Sequence, residues 1–173
     1  DKKYFSRQID ESLMAWKNST RHKPLLLRGA RQVGKSSSVR HLAKQFDYFV
    51  EINFERKPAY LEIFKGDRDA KHIVEMIKSI TGEPIVPGKT LLFFDEIQMC
   101  QEAISSLRFF WEDMPGLHVI AAGSLLEFAL SEIPTFGVGR IHSMFMYPMS
   151  FDEFLNALGM FSLQKYKREA SPE

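Results

Sequence analysis

PLLLRGARQVGKSSSVRHLAKQF, residues 24–46, runs from a short apolar stretch through two glycines into a segment whose apolar residues return at helical spacing. Gly29, Gly34, Lys35 and Ser36 stand at the spacing G-x-x-x-x-G-K-[ST], between that apolar stretch and that helix. Each residue type meets a need of a bound polyphosphate. The glycines take backbone angles that other residues resist and let the loop's N–H groups approach phosphate oxygens. A helix starting near Lys35 adds the positive end of its dipole. Lys35 brings a full charge to the outer phosphates, and Ser36 offers a hydroxyl to Mg²⁺. The stretch reads as a P-loop whose nucleotide-binding residues are Gly29, Ala30, Arg31, Gln32, Val33, Gly34, Lys35, Ser36 and Ser37. The alternative is an ordinary glycine turn with a solvent-facing lysine, and the strand-to-helix setting argues against it.

Outward from the loop, apolar runs at 25–27, 48–54, 90–94, 118–122 and 144–147 alternate with helical or loop segments. Short, nearly continuous apolar runs are typical of strands buried on both faces of a parallel sheet. Between them, Val39, Leu42, Ala43 and Phe46 share a helical face, as do Ile73, Met76, Ile77 and Ile80, and then Leu107, Phe110 and Trp111. Ile9, Leu13 and Trp16 predict a leading helix before the first strand. Ser150 and Glu153 form a capping-box pattern that opens a helix through Phe154, Leu155 and Leu158, closed by Gly159. TGEPIVPG, residues 81–88, reads as a connection. Strands alternating with helices predict a three-layer α/β fold around a parallel sheet of about five strands.

The third run ends in LLFFDEIQ, which puts Asp95 and Glu96 at the carboxyl end of a buried strand, where open α/β sheets bind their ligands. Asp95 is placed to reach a metal ion together with Ser36, and Glu96 to polarise an attacking water. A polar loop entry is the bland alternative, outweighed by the P-loop. A regulatory GTPase would carry D-x-x-G directly after this strand and an N-K-x-D base reader; DEIQ stands in place of the first, and the second is absent. The fourth run ends in AAGS, where Ser124 either positions the water and senses the γ-phosphate or simply caps the LLEFAL segment. Arg140, in VGRIH, is a candidate for stabilising transition-state charge, or a surface residue. The catalytic candidates are thus Lys35, Glu96, Ser124 and Arg140, and the metal ligands Ser36 and Asp95. His22, His41, His72, His118 and His142 show no metal-ligand spacing with one another or with Cys100. There is no G-x-S-x-G nucleophile elbow.

The 173 residues suit one domain, and a formal net charge of +1 gives no general attraction to nucleic acid or to an anionic membrane. Local basic clusters remain, at Arg21, His22 and Lys23 and at Lys165, Lys167 and Arg168. A single cysteine excludes an intrachain disulfide and suits a reducing, cytoplasmic setting. No apolar run reaches the 18 residues of a membrane span. Residues 1–163 read as the domain, leading helix included, and 164–173 as a linker or a cut point toward a C-terminal region.

LLLRGARQVGKSS, INFE, LLFFDEIQ, VIAAGSLLEFAL and VGRI followed by YPMSFDEFL, in that order, resemble the prokaryotic AAA-type P-loop ATPases from about Ser6 to Gly159. The resemblance implies the sheet order 5-1-4-3-2, with ATP and Mg²⁺ as cofactors. It also implies a sensor-like Ser124 and a nucleotide-linked role for Arg140, in cis or in trans. Proteins of this kind usually carry a further C-terminal domain, often described as nuclease-like, and a lid, both expected beyond the present sequence. Homo-oligomerisation and an association with DNA are further implications. Two readings of the output stay open: ATP hydrolysis that drives a change of shape, and a nucleotide-gated module with negligible turnover.

Overall fold

A computed structural model of the chain describes residues 4–66, 69–126, 130 and 139–169. Five parallel strands form one sheet: β1 (Leu25–Arg28), β2 (Tyr48–Asn53), β3 (Thr90–Asp95), β4 (His118–Ala122) and β5 (His142–Phe145). Their spatial order is β2-β3-β4-β1-β5, the expected 5-1-4-3-2 counted from the other edge.

Alternation along the strands divides the apolar side chains between two cores. Leu25, Leu27, Leu91, Phe93, Ile120 and Ala122 pack with α1 (Ile9–Asn18) and α2 (Lys35–Ala43). Leu26, Leu92, Phe94, Val119 and Ala121 pack on the other side with a 3-10 turn (Pro58–Phe64), α3 (Ala70–Thr81) and α4 (Gln101–Asp113). Burial on both faces holds for β1, β3 and β4, whereas the edge strands β2 and β5 are only partly covered. β5 corrects the apolar run at 144–147: it starts two residues earlier, at His142. An edge position tolerates the polar His142 and Ser143, while Met146 leaves the strand and is buried against Gly29 and Gly34.

Helix ends follow local chemistry. Asp69 caps α3 by accepting the Lys71 N–H at 3.0 Å, and Gly82 closes it with φ 73°. Ser150 and Glu153 make the expected capping box at the start of α5 (Phe151–Ala157). After Gly159, α6 (Phe161–Glu169) runs on across position 164, where the sequence suggests that the domain gives way to a linker. Residues 127–129 of the LLEFAL segment, the side chains of Lys167 and Arg168, and residues 170–173 lie outside the described residues.

α1 is pinned to the amino-terminal edge of the sheet by an aromatic cluster. The His22 and His118 rings stack at 3.6 Å, and Trp16 and Phe46 meet His118 edge-on. Trp16 Nε1 donates to the Lys23 carbonyl at 2.7 Å, and His118 Nε2 donates to the Lys17 carbonyl at 3.0 Å. Burial is the main cause that lowers the His118 pKa from its ordinary 6.5 to about 4, helped by the nearby His22 and Lys17. The folded value lies below the unfolded one, so the stabilisation is complete above pH 6.5 and is lost as pH falls from 6.5 toward 4. The loss should be on the order of 3 kcal/mol at the acid end. Melting temperature measured across that range should fall steeply in the native chain and less in His118→Phe, which keeps the ring and removes the proton. Parallel slopes would place the acid sensitivity elsewhere.

Candidate phosphate-binding site

The loop between β1 and α2 leaves the carboxyl edge of the sheet at Gly29 and returns at Gly34, where α2 begins. Gly29 has φ 146°, and a Cβ there would stand 2.3 Å from the Met146 carbonyl oxygen. The glycine therefore lets the loop lie directly on the chain leaving β5. Non-glycine residues with left-handed backbone among the described residues are Gln32 (φ 61°), Glu96 (φ 54°) and Leu125 (φ 53°). One lies in the loop, one directly after β3 and one shortly after β4, so all three cluster at this edge. Strained backbone persists where the surroundings over-determine it, and functional sites are where it collects.

Lys35, at the first turn of α2, is largely buried, and its Nζ donates to the carbonyls of Gly29 at 2.8 Å and Ala30 at 2.6 Å. Burial lowers its pKa, while the charges of Glu96 and Asp95 oppose that shift. Ser36 Oγ donates to both oxygens of Asp95, at 2.9 and 3.1 Å, across 59 positions of sequence. Asp95 also accepts from Asn53 Nδ2 at 3.2 Å and from the Glu96 N–H at 3.0 Å. Arg40, bound to Glu51, adds positive charge 3.9 Å away. Burial nevertheless leaves the Asp95 carboxyl above its ordinary range, with Ser36 and the Glu96 N–H pulling against it. A buried carboxylate and a hydroxyl this close offer hard oxygen donors suited to Mg²⁺, which binds through one or two carboxylates and substrate phosphates. Among the described residues no cluster of three or more His, Cys, Asp or Glu forms an all-protein metal cage.

Glu96 is oriented by Gln98, whose Nε2 donates to Glu96 Oε2. Gln98 in turn needs the glycine at 123, where a Cβ would stand 2.5 Å from its Oε1. Ser124 is buried beyond the end of β4, one strand over from the start of the loop, since Ala122 pairs with Leu27. Arg31 and Ser37 are exposed beside a cavity of about 750 Å³ bounded by Tyr4, His41, Pro148 and Met149. Tyr4 stacks on His41 at 3.9 Å and donates to Asp10 at 2.7 Å, and burial pushes its phenol up.

Arg140 is not brought to this site. β5 runs parallel to β1 with His142 opposite Leu25, so a residue preceding β5 lies at the amino edge of the sheet, away from the loop. There Arg140 Nε pairs with Glu112 at 2.7 Å. A different arginine reaches the loop. Arg7 Nη1 donates to the Val33 carbonyl at 2.7 Å, Nη2 to the Tyr147 carbonyl at 2.8 Å, and Nε to Glu153 at 2.7 Å. Burial alone would raise the Glu153 carboxyl, but the N–H groups of Ser150 and Gln8 and the Arg7 guanidinium together hold it below its ordinary range. Asn53, Gln98, Arg7 and Tyr4 escape a motif reading. INFE and DEIQ contain the first two, but the Asn53 contact with Asp95 is set by strand order, and the Gln98 bond to Glu96 by the tight turn after β3.

A family model described as AAA domain matches residues 21–155. No curated protein matches the chain.

Proposed function

The chain belongs to the AAA domain family, and from that premise we propose that it binds ATP with Mg²⁺, hydrolyses it, and passes nucleotide state on as a change of shape. The observation that carries this reading is the convergence of Lys35, Ser36, Asp95 and Glu96 at one edge of the sheet, with Ser36 and Asp95 2.9 Å apart. The loop amides and Lys35 bind the phosphates, and the cavity beside Tyr4 and His41 takes base and ribose. Ser36 and Asp95 would hold Mg²⁺, which when bound neutralises phosphate charge. Glu96, oriented by Gln98, accepts a proton from the attacking water. Ser124, buried beyond the end of the neighbouring strand β4, would orient that water or the outer phosphate.

A second reading, a module that holds nucleotide and turns it over negligibly until another molecule supplies a cation, draws on the position of Arg140 at the far edge. Titration with ATP in Mg²⁺ and in chelator, alongside phosphate release, separates the two. Native protein should bind and hydrolyse with Mg²⁺. Lys35→Ala should bind about 10- to 100-fold more weakly, as expected for lost charge-assisted hydrogen bonds. Tight binding without turnover would favour the gated module, and absence of binding would overturn both readings.

A further inference from the structure

Among the described residues, β5 has a neighbouring strand on one side only. The His142 N–H donates to the Pro24 carbonyl at 2.9 Å and the Met146 N–H to the Arg28 carbonyl at 2.8 Å, so the even-numbered residues turn their peptide groups toward β1. Alternation then turns the N–H and C=O of Ser143 and Phe145 the other way, where no described strand pairs with them. Exposed edges are commonly blunted by lysine, proline or a bulge. The segment His142–Phe145, HSMF, contains neither lysine nor proline.

A groove follows this edge. Its wider part, about 800 Å³, is lined by residues 141–144 and, from the α1 side, by Ser12, Ala15, Ser19 and the largely buried Trp16. A second part, about 320 Å³, shares Ser12 and Met144 with the first and continues along residues 144–148. A strand pairs about 4.8 Å from its neighbour, and the short side chains of Ser12, Ala15 and Ser19 leave room for one more. The wider part is also charged in one sense. Arg21 and Lys23 line it, no carboxylate does, and neither makes an ion pair among the described residues.

We infer that the open edge of β5 is a docking site for an extended acidic segment of a partner protein, which adds to the sheet as a further strand and sets its carboxylates against Arg21 and Lys23. Main-chain pairing supplies affinity in this mode, and side chains at the rim supply selectivity. The inference does not rest on the nucleotide reading, because Ser143, Arg21 and Lys23 are not among the residues proposed to bind nucleotide.

The test is fluorescence anisotropy with a fluorescein-labelled peptide of eight residues alternating valine or threonine with glutamate. The native chain should bind it saturably. Ser143→Pro removes one outward N–H and leaves the His142 and Met146 bonds to Pro24 and Arg28 in place. It should weaken binding at least about tenfold while thermal stability and ATP affinity stay unchanged. Arg21→Glu with Lys23→Glu should weaken it by a similar factor, and added salt should weaken the native interaction. Should Ser143→Pro fail to fold, the same peptide N-methylated at alternate residues tests the same pairing from the other side and should not bind. Failure of the acidic peptide to bind, equal binding of the N-methylated peptide, or equal binding of one with lysine for glutamate would overturn the inference. So would a native dimer that Ser143→Pro converts to monomer in light scattering, since the edge would then belong to a second copy.

Discussion

Glu96→Gln should leave nucleotide bound and lower phosphate release by about 10²- to 10⁴-fold, the range associated with a positioned general base. The change keeps the shape of the side chain and its hydrogen-bonding reach toward Gln98, and removes only the charge that takes up a proton. The groups proposed to bind phosphate and metal, Lys35, Ser36, Asp95 and the loop amides, remain as they are. Nucleotide affinity should therefore move by no more than a few-fold, with a barrier increase of about 3–5 kcal/mol. Single-turnover phosphate release measured beside equilibrium binding makes the comparison directly. A variant that still turns over at the native rate would reassign water activation to another group.

Gly29→Ala should damage both the fold and the site. The added Cβ would meet a backbone carbonyl at 2.3 Å, and the required φ of 146° is one that side-chain-bearing residues rarely adopt. A carbonyl in the chain leaving β5 cannot rotate away as a side chain can, so the loop must shift. The expected cost is about 3 kcal/mol or more, the upper end for a strained backbone position. In a domain of this size that corresponds to a melting temperature roughly 10 °C lower. ATP affinity should fall about 100-fold or more, because the displaced amides belong to the proposed phosphate cradle. Gly34→Ala is the control. Its φ of 101° carries the same backbone strain, but the nearest atoms to its added Cβ are the ends of the Arg7 and Met146 side chains, at 3.1 and 3.4 Å, and no backbone atom, so its stability loss should be smaller. Calorimetry on the two variants ranks them, and a milder effect at Gly29 would contradict this account.

What the sequence made legible divides along physical lines. The turn from β1 into α2 was readable because its pattern is local: a strand, two glycines, a lysine and a helix start within one short segment. The buried strands β1, β3 and β4 were readable because burial on both faces writes an unbroken apolar run. β5 was placed two residues late, since an edge strand need not be apolar and Met146, outside it, is. Asn53 was hidden because its contact with Asp95 depends on β2 lying beside β3 in matching register. Arg7 and Glu153 were hidden because nothing local couples them. The expected partnership of Arg140 with the loop failed within one chain for a reason the sequence does contain. It precedes its strand, and in a parallel sheet that puts it at the edge opposite the residues that follow theirs.

Arg7 and Glu153 stand 146 residues apart, yet together they back the phosphate loop. Closing so long a stretch of chain costs about 2 kcal/mol more in entropy than closing one of ten residues, and contacts of this range slow the search for the native state. During synthesis, the glycines and Lys35 are joined to the chain more than a hundred residues before Glu153 is. The loop must wait for α5 before the Arg7 clasp can close, so firm grip on a nucleotide would report that the domain has been made through its last strand.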